Sequence, residues 1–531
     1  MTQTTVDAVV VGAGPNGLVA ANALADAGWD VLVVEEQDEV GGAVRSAEVL
    51  RPGYVTDLFS AFYPLAAASP VIRDLHLEEH GLVWRHAPDV LAHALDDGRA
   101  FALRPDVDAT AVGLEAEAAG DGEAWREMFA GWQRIRDPLL DALFTPFPPM
   151  AAATRILRRL GTAGTLDLAR LAVLPVRRLA DEHFTGVGAK LLLTGNALHS
   201  DVPPDAAGSG VFGWLLAMLG QDVGFPVPEG GAGQLASALR RRAESLGAQV
   251  RTGVAVTQVT VTHGRASGVR LADGDVVHAK VVLADVAAPS LYRDLLAEHR
   301  LPDRVLRDLD RFQWDNPTIK LNWALDRPVP WTSPEARGAG TVHLGVDDTG
   351  FVDFAADLST GREPQRPFLL FGQMTVADPT RSPVGTESTW AYTHVPPADW
   401  TGERLDRHVE RMEAAVERVA PGFREAQVAR SVQSPRDMEA MDANLVDGAI
   451  NAGTSGIHQQ LVFRPIPGLG RPSTPVPGLY LAGASAHPGG GVHGACGWNA
   501  ARTALADHGP VGRVRRALGG TAWDRLLGRS R

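Results

Sequence analysis

Short apolar runs that end at glycine-rich turns lie near both ends of the chain. Residues 6–11 and 31–34 are such runs, and residues 15–27 between them form a small-residue segment with helical character. Two similar runs, residues 281–285 and 479–482, follow much later in the sequence. Continuous apolar runs bounded by turns are typical of parallel strands that are buried on both faces. The pattern therefore predicts an α/β fold with a parallel sheet built from distant segments.

The central part of the chain has a different pattern. Residues 106–200 are rich in Ala, Leu and Arg and predict several helices, which we expect to break at prolines, among them Pro138. Strand-like runs between residues 314 and 394 predict a mixed or antiparallel sheet. Four shorter predictions are an apolar helix in residues 209–227, a helix over residues 70–82, a strand over residues 254–261 and a strand-like end to the glycine-rich segment 442–465.

Three glycines have G-x-G-x-x-G spacing between the first strand and the first helix. In such a turn the first glycine permits the tight bend, the second lets backbone N–H groups approach a pyrophosphate, and the third lets helix and sheet pack closely. The helix N-terminus then faces the phosphates. Glu35 ends the second strand, where a carboxylate accepts hydrogen bonds from both ribose hydroxyls and disfavours a 2′-phosphate. The residues assigned to the adenine-nucleotide half are Gly12, Gly14, Pro15, Asn16, Gly17, Glu35 and Glu36.

The segment 41–46, with the sequence GGAVRS, resembles the second glycine pair of flavin amine oxidases and phytoene desaturases. The resemblance implies FAD as the cofactor, rather than a dissociable nicotinamide. It also implies that this turn lies along the FAD pyrophosphate and that Arg45 approaches the flavin. The other cofactor contacts that it implies in this part of the molecule are Gly42 and Ser46 in the turn, Val254 at the adenine and Asp285 beside the ADP moiety.

A second glycine-rich turn, residues 483–497, joins a strand to a helix near the C-terminus. Such a turn presents free backbone N–H groups and a partial positive charge to an anion, here the pyrophosphate and the N1–C2=O edge of the flavin as it is reduced. The segment resembles the C-terminal motif of the phytoene desaturase-like family, close to the pyridine nucleotide-disulphide oxidoreductase domain-containing group. The resemblance implies that Gly483, Ala484, Gly491 and Val492 hold the flavin half. Ala484 replaces the aspartate that many flavoproteins carry there, which leaves more contacts to backbone groups.

The resemblance covers residues 6–65, 225–290 and 440–505, and implies a Rossmann-type FAD-binding domain assembled from three segments. We expect a mixed-sheet substrate domain and a helical cap beside it. The predicted boundaries are 1–90, 226–290 and 441–508 for FAD binding, 91–225 for the helical cap and substrate-domain segments, 291–440 for the substrate-binding domain and 509–531 for a basic tail.

Composition narrows the classes of function. The chain has 531 residues, a formal net charge of −13 and one cysteine, Cys496. The acidity argues against a nucleic-acid surface, and a single cysteine excludes an intrachain disulfide and a C-x-x-C redox pair. The histidines lack zinc-type spacing, so we expect no metal. No run reaches 18 apolar residues and no export signal precedes the first strand, which predicts a cytoplasmic protein. The tail, residues 512–531, predicts either peripheral membrane contact or a solvated segment.

Together these features predict an FAD-dependent oxidoreductase that desaturates, isomerises or otherwise transfers hydride from an apolar polyene or lipid-like substrate to flavin N5. His487 and His493 flank the glycines expected near the ring and are the candidate catalytic residues, because a histidine can move a proton at neutral pH. The alternatives are a cyclase or amine oxidase on the same scaffold, and a non-catalytic FAD-binding protein that associates with membranes. The sequence leaves open the oligomeric state and the final electron acceptor, with oxygen and a quinone as candidates.

Overall fold

The first of two large sheets is built around the N-terminal strand. The computed structural model describes residues 3–509 and Gly512. Strand Gln3–Val11 lies at the centre of the sheet, with Val31–Val34 and Val276–Ala284 parallel to it on either side. Leu479–Leu481 pairs in parallel with Val276–Ala284, so segments that are distant in sequence become neighbours. The other strands are Gln249–Arg251, Val256–Thr262 and Arg265–Leu271. The predicted α/β class is confirmed.

Three helices cover one face of this sheet: Pro15–Asp26, Gly233–Ser245 and Ala495–His508. Alternate strand residues such as Ala8 and Val10 pack against these helices, whereas Val9 and Val11 belong to the core on the opposite face. The first helix is buried from Asn16 to Ala25. Its small side chains let it pack closely against both neighbouring helices and the sheet.

A second seven-stranded sheet forms the core of the other half of the molecule. Its strands, in spatial order, are Gln427–Gln433, Thr318–Leu325, Glu387–His394, Leu369–Gln373, Ala339–Leu344, Asp89–Ala94 and Ala100–Leu103. All neighbouring pairs are antiparallel except Ala339–Leu344 with Asp89–Ala94, which is parallel. The predicted mixed sheet is therefore present. Its register places five residues in one row across the strands: Lys320, Tyr392, Leu370, His343 and His93.

The cap consists of the helices that lie in sequence between strands Ala100–Leu103 and Val227–Pro228. They are Val107–Glu117, Asp121–Phe144, Met150–Leu171, Val176–His183, Val187–Ala197 and Ser209–Val223. The expected break at Pro138 is wrong, because this proline lies inside Asp121–Phe144. Proline cannot donate to the carbonyl four residues earlier, but the Arg134 carbonyl accepts a hydrogen bond from Arg159 Nη1 at 3.1 Å instead.

Three other local predictions need correction. Residues 70–82 form two turns, Pro70–Arg73 and Leu77–His80, because His76 between them has a left-handed backbone with φ 49°. The end of segment 442–465 consists of the 3₁₀ turns Ile457–Gln459 and Leu461–Phe463 instead of a strand. Here the Gln459 side chain bonds both the N–H and the carbonyl of Gln313, as a neighbouring strand would. The strand expected from residue 254 begins at Val256.

The remaining helices are Pro64–Ala68, Ser290–Leu295, Asp303–Leu309, Pro334–Arg337, Asp348–Ser359, Met374–Ala377, Pro379–Arg381, Gly402–Val419, Phe423–Ala426, Pro435–Met441 and Val446–Gly448. Two short antiparallel pairs join Ser46–Ala47 to Thr56–Asp57 and Trp84–Arg85 to Val227–Pro228. No helix within the described residues is long and apolar enough to cross a bilayer. Of the predicted basic tail, residues 509–531, only Gly509 and Gly512 are among the described residues, so its membrane contact stays a prediction, as do the domain boundaries.

Candidate functional site

One cavity connects the glycine turns of the first sheet with the second sheet. Its volume is about 680 Å³, within the range of about 300–1,000 Å³ that is usual for small-molecule sites. Residues at the first-sheet end include Gly12, Gly14, Pro15, Asn16, Glu35, Glu36, Asp285 and Asp442. The other end, which we call the chamber, is lined by Leu143, His199, Ser200, Phe212, Leu215, Leu216, Phe225, Thr318, Lys320, Thr341, Leu370, Trp390 and Tyr392. Between them lie Gly42, Phe59, Ala484, Gly491, Val492 and His493.

The first glycine turn is shaped by its contacts with Asp285. Gly12 has φ +91°, and a Cβ there would lie 2.8 Å from the Asp285 carbonyl oxygen. The Gly17 N–H donates a hydrogen bond to the Asp285 carboxylate at 2.7 Å, and a Cβ at Gly17 would overlap the Gly12 carbonyl oxygen. Both positions therefore require glycine, and the turn leaves the backbone at Gly14 open to the cavity.

Glu35 lies at the end of its strand and lines the cavity, as expected. One carboxylate oxygen accepts a hydrogen bond from the Ala13 N–H at 2.7 Å and the other accepts one from the Gln37 N–H at 2.9 Å. Each oxygen keeps a further lone pair, so both ribose hydroxyls can still donate to it. The backbone bonds fix the carboxylate in place, and the predicted ribose contact fits this geometry.

Three acidic side chains surround the first turn, and burial raises the pKa of each. Burial, helped by Asp442 and Glu35, raises the pKa of Asp285 to about 8. Burial is likewise the main cause that raises the pKa of Glu35 and of Asp442. The raised pKa of Asp285 favours its neutral form, which lowers the negative charge at the place where an anionic pyrophosphate is expected.

The first-sheet end of the cavity fits a dinucleotide. Asn16 is 6% exposed, and its side-chain oxygen has no hydrogen-bond partner in the described part of the chain. The second turn approaches the same cavity through Ala484, Gly491 and Val492, and Gly491 has φ +107°. A ligand at both turns would meet free backbone groups and an unpaired amide. These residues are the ones that would hold the ADP and flavin halves of the cofactor.

Arg45 is not among the residues that line the cavity, and its approach to the flavin stays a prediction. Its Nε donates to the Gly42 carbonyl at 2.9 Å and its Nη2 donates to the Met441 carbonyl at 2.6 Å. Its guanidinium also lies over the Phe59 ring, 5.3 Å from the centroid. Arg45 therefore holds the second glycine pair against the chain near residue 441.

Three more predicted cofactor residues lie behind the cavity wall. The Ser46 hydroxyl donates to Asp57 Oδ1 at 2.7 Å, and Gly483 packs against the backbone of Val286. The Val254 N–H donates to the Glu35 carbonyl at 3.0 Å, so this N–H is not available to adenine, and the predicted adenine contact of Val254 stays a prediction. Val256, two residues later, lines the cavity in its place. Gly17 also lies behind the wall, where it allows the turn to close.

The two candidate catalytic histidines differ in position. His487 Nε2 bonds the Thr145 carbonyl at 3.2 Å, and the residue does not line the cavity. His493 lines the cavity, and its Nδ1 accepts a hydrogen bond from the Ala495 N–H at 3.0 Å. Its Nε2 has no partner within the described residues. Burial lowers the pKa of both rings to about 4, so both are neutral at pH 7. A catalytic role stays a prediction, with His493 the better placed of the two.

Sequence reasoning missed Lys320, the basic residue of the chamber. It lies in strand Thr318–Leu325, whose eight residues are all buried, and its Nζ donates to the Asp57 carbonyl. The ammonium lies 5.6 Å from the centroid of Trp390, and burial lowers the pKa of Lys320 to about 7. A lysine within the otherwise strand-like run TIKLNWAL was the available signal.

A buried ion pair supports the strand that carries Lys320. Arg381 Nη2 and Asp57 Oδ2 are 2.6 Å apart, and both side chains are fully buried. The other oxygen of Asp57 accepts from the Ala232 N–H at 2.8 Å as well as from Ser46. Asp57 thus links the second glycine pair, the helix that begins near residue 233 and the second sheet.

The chamber is mostly apolar, and no carboxylate from the described part of the chain lines it. All acidic residues that line the cavity, namely Glu35, Glu36, Asp285, Asp294 and Asp442, lie outside the set that defines the chamber. Trp390 and Tyr392 stack with ring centroids 5.9 Å apart and an interplanar angle of 18°. No group of three or more potential metal ligands is found in residues 3–509. The chamber therefore suits a neutral, largely apolar molecule.

Comparisons with known proteins agree with this geometry. Residues 16–505 match the family described as flavin containing amine oxidoreductase. The chain is 30% identical over 546 residues to pyridine nucleotide-disulfide oxidoreductase domain-containing protein 2 of Mus musculus, with 94% of this chain and 93% of the relative covered. It is 25% identical over 508 residues to the neurosporene-forming phytoene desaturase of Rhodobacter capsulatus, with 91% of each covered.

A solved structure shows the same fold. Wild-type putrescine oxidase bound to putrescine superposes with a TM-score of 0.59 at 18% identity, covering 95% of this chain and 99% of that one. The resemblance to phytoene desaturases and amine oxidases that residues 41–46 and 483–497 indicated is thereby confirmed, as is the Rossmann-type FAD-binding fold. The chain belongs to the flavin containing amine oxidoreductase family, and its cofactor is FAD.

Proposed function

We propose that this FAD-dependent oxidoreductase acts on CH–CH groups of a neutral, apolar, unsaturated substrate, such as a polyene or another lipid-like molecule. The observation that carries the proposal is the continuity of the cavity. Both glycine turns and the apolar chamber share it, and none of the described residues that line the chamber carries a carboxylate. The similarity to a phytoene desaturase supports the same class of substrate.

Bound FAD supplies the hydride acceptor for this chemistry. The protein contributes binding, orientation and exclusion of water. Glu35 and the first turn hold the adenine-nucleotide half, while Phe212, Leu216 and Phe225 give the substrate an apolar surface. Lys320 Nζ, with a pKa lowered to about 7 by burial, can hold or release a proton at neutral pH.

Oxidation of an amine is the second candidate. The stacked pair of Trp390 and Tyr392 favours it, because aromatic faces attract cations, and putrescine oxidase has the same fold. Against it, a cationic amine in the chamber would meet Lys320 but no carboxylate of residues 3–509. A buried charge without a partner is costly, so a neutral substrate fits better.

Anaerobic mixing of the FAD-loaded protein with two panels of compounds tests the proposal. One panel contains neutral alkenes and polyenes, and the other contains primary and tertiary amines. We expect loss of oxidised-flavin absorbance with members of the first panel. Reduction by amines alone would establish the second candidate, and no reduction by either panel would favour a non-catalytic FAD-binding protein. Reoxidation by oxygen or by a soluble quinone then identifies the electron acceptor, for which we propose one of these two.

A pair of leucine variants ties the reaction to the chamber. Leu216→Trp fills the chamber, whereas Leu166→Trp places the same side chain on the cap helix Met150–Leu171, where Leu166 is 66% exposed. We expect Leu216→Trp to keep FAD and to lose substrate-dependent flavin reduction, and Leu166→Trp to keep both. Equal rates in the two variants would place the reacting substrate elsewhere.

A further inference from the structure

Three polar groups in the chamber have no hydrogen-bond partner among residues 3–509. Thr341 is 2% exposed and its hydroxyl makes no hydrogen bond within the described residues. The Tyr392 hydroxyl and the Nδ1 atom of His199 are also without a hydrogen bond in that part of the chain. All three residues line the chamber among leucine and phenylalanine side chains.

His199 is held by a second histidine. Its Nε2 lies 2.9 Å from Nε2 of His343, so one ring donates and the other accepts. His343 is fully buried and packs on His93, whose Nε2 bonds the Val346 carbonyl at 2.9 Å. This contact fixes the His199 ring at the wall of the chamber.

The packing of His343 decides which ring donates. His343 Nδ1 has no partner in the described chain and lies against Gly195 with no space for a side chain between them. A proton on this nitrogen would be an unpaired buried N–H, which is costly. The proton is therefore on His343 Nε2 and is donated to His199 Nε2. A neutral His199 then carries its own proton on Nδ1, the nitrogen to which no group of the described chain bonds.

We propose that the chamber recognises an oxygen atom on an otherwise apolar substrate, a hydroxyl or carbonyl group that accepts a hydrogen bond from His199 Nδ1–H beside Thr341 and Tyr392. The inference rests on the proposed function and narrows its substrate class from polyenes and lipid-like molecules in general to those that carry an oxygen atom. A hydrocarbon in the chamber would leave three polar groups without partners, and sites with such groups discriminate strongly against ligands that lack the matching polar atom. His199 is thus a specificity-determining residue.

Two ligands that differ by one hydroxyl test the inference. Geraniol and its hydrocarbon counterpart 2,6-dimethylocta-2,6-diene are titrated into the FAD-loaded protein, and their Kd values are measured by calorimetry. We expect geraniol to bind about tenfold more tightly or better. We expect His199→Phe, which keeps an aromatic ring, to remove most of that difference. His278→Phe, the same change at an exposed strand position, is the matched control and should retain it.

Thr341→Val and Tyr392→Phe provide the same test if His199→Phe fails to fold, because each removes only a hydroxyl. We expect each to reduce the preference for geraniol. Equal binding of the two ligands by the wild type, or a preference unchanged in all three chamber variants, would overturn the inference and leave the proposed function intact. Failure of both ligands to bind the chamber would overturn the proposed function as well.

Discussion

The residues of the first glycine turn are determined by contacts a few ångströms away. A Cβ added at Gly17 would overlap the Gly12 carbonyl oxygen and would lie 3.1 Å from Asp285 Oδ2. The turn is closely packed because three elements meet there: strand Gln3–Val11, helix Pro15–Asp26 and strand Val276–Ala284. A single methyl group therefore disturbs the surface that faces the cofactor.

Gly17→Ala should lose FAD. Its methyl group would push apart the Gly12 carbonyl and the Asp285 carboxylate, which shape the phosphate turn. We expect the affinity for FAD to fall at least about tenfold, since 1.4 kcal/mol of lost binding free energy is tenfold. The ratio of bound flavin to protein after gel filtration measures the effect. Gly131→Ala is the control. Gly131 lies in the cap helix Asp121–Phe144, where an added Cβ would be 3.7 Å from its nearest neighbour, Arg134 Nη2, so this variant should bind FAD normally.

Lys320 should make stability depend on pH. Burial lowers its pKa from 10.5 to about 7, so between pH 7 and 10.5 the unfolded chain binds this proton and the folded chain does not. Stability then rises with pH across that window. We expect the Tm difference between wild type and Lys320→Met to shift in favour of the wild type from pH 7 to pH 10. A Tm difference that stays constant would show that Lys320 has an ordinary pKa.

At the scale of elements, polar side chains replace backbone pairing where the sequence pattern fails. The Arg159 side chain donates a hydrogen bond to the Arg134 carbonyl, to which Pro138 cannot donate, and one helix continues where two were expected. The Gln459 side chain bonds the backbone of Gln313 and makes a strand unnecessary. Both contacts join residues far apart in sequence, which is why no local pattern predicts them.

The Asp57–Arg381 pair connects three elements, and breaking it should destabilise the fold. Asp57→Asn leaves Arg381 as a buried charge without its partner, for which we expect a loss of about 3–5 kcal/mol in the free energy of unfolding. Arg381→Met should cost a similar amount. Denaturant unfolding of both variants and of the double variant measures the coupling. Additive losses in the double variant would mean that the two side chains act independently.

At the scale of the whole molecule, three distant parts of the chain form the cavity that is expected to bind the cofactor. The cavity is lined by residues near 12–16, near 35–42, at 285 and near 484–493. These segments come together because Val276–Ala284 pairs with both Gln3–Val11 and Leu479–Leu481. Binding energy at this site is therefore shared across the fold.

FAD binding should stabilise the protein and should slow hydrogen exchange at both glycine turns together. At a free FAD concentration of 100 times Kd we expect a stabilisation of about 2.7 kcal/mol, seen as a higher Tm. Hydrogen exchange should slow at residues 12–17 and at residues 483–492 in the same titration. Protection confined to the first turn would contradict the assignment of the second turn to the flavin half.

The sequence by itself determined the α/β class, the first glycine turn with Glu35, and the family. These features depend on local spacing: glycines at fixed offsets, apolar runs of strand length and a carboxylate at a strand end. Such patterns act within a few residues, so they can be read without a partner segment. Gly12, Gly17 and Glu35 have the local geometry that the spacing required.

Only the tertiary structure decided what faces the cavity. Arg45, Ser46 and Val254 lie in or near the expected segments, yet each is bonded to the protein behind the wall, while Val256 and Lys320 line the cavity. Which side chain points inward depends on strand register and on partners hundreds of residues away. The chamber forms where the cap helices pack against the second sheet. Its lining residues come from segments far apart in sequence, so no single stretch of sequence predicts it.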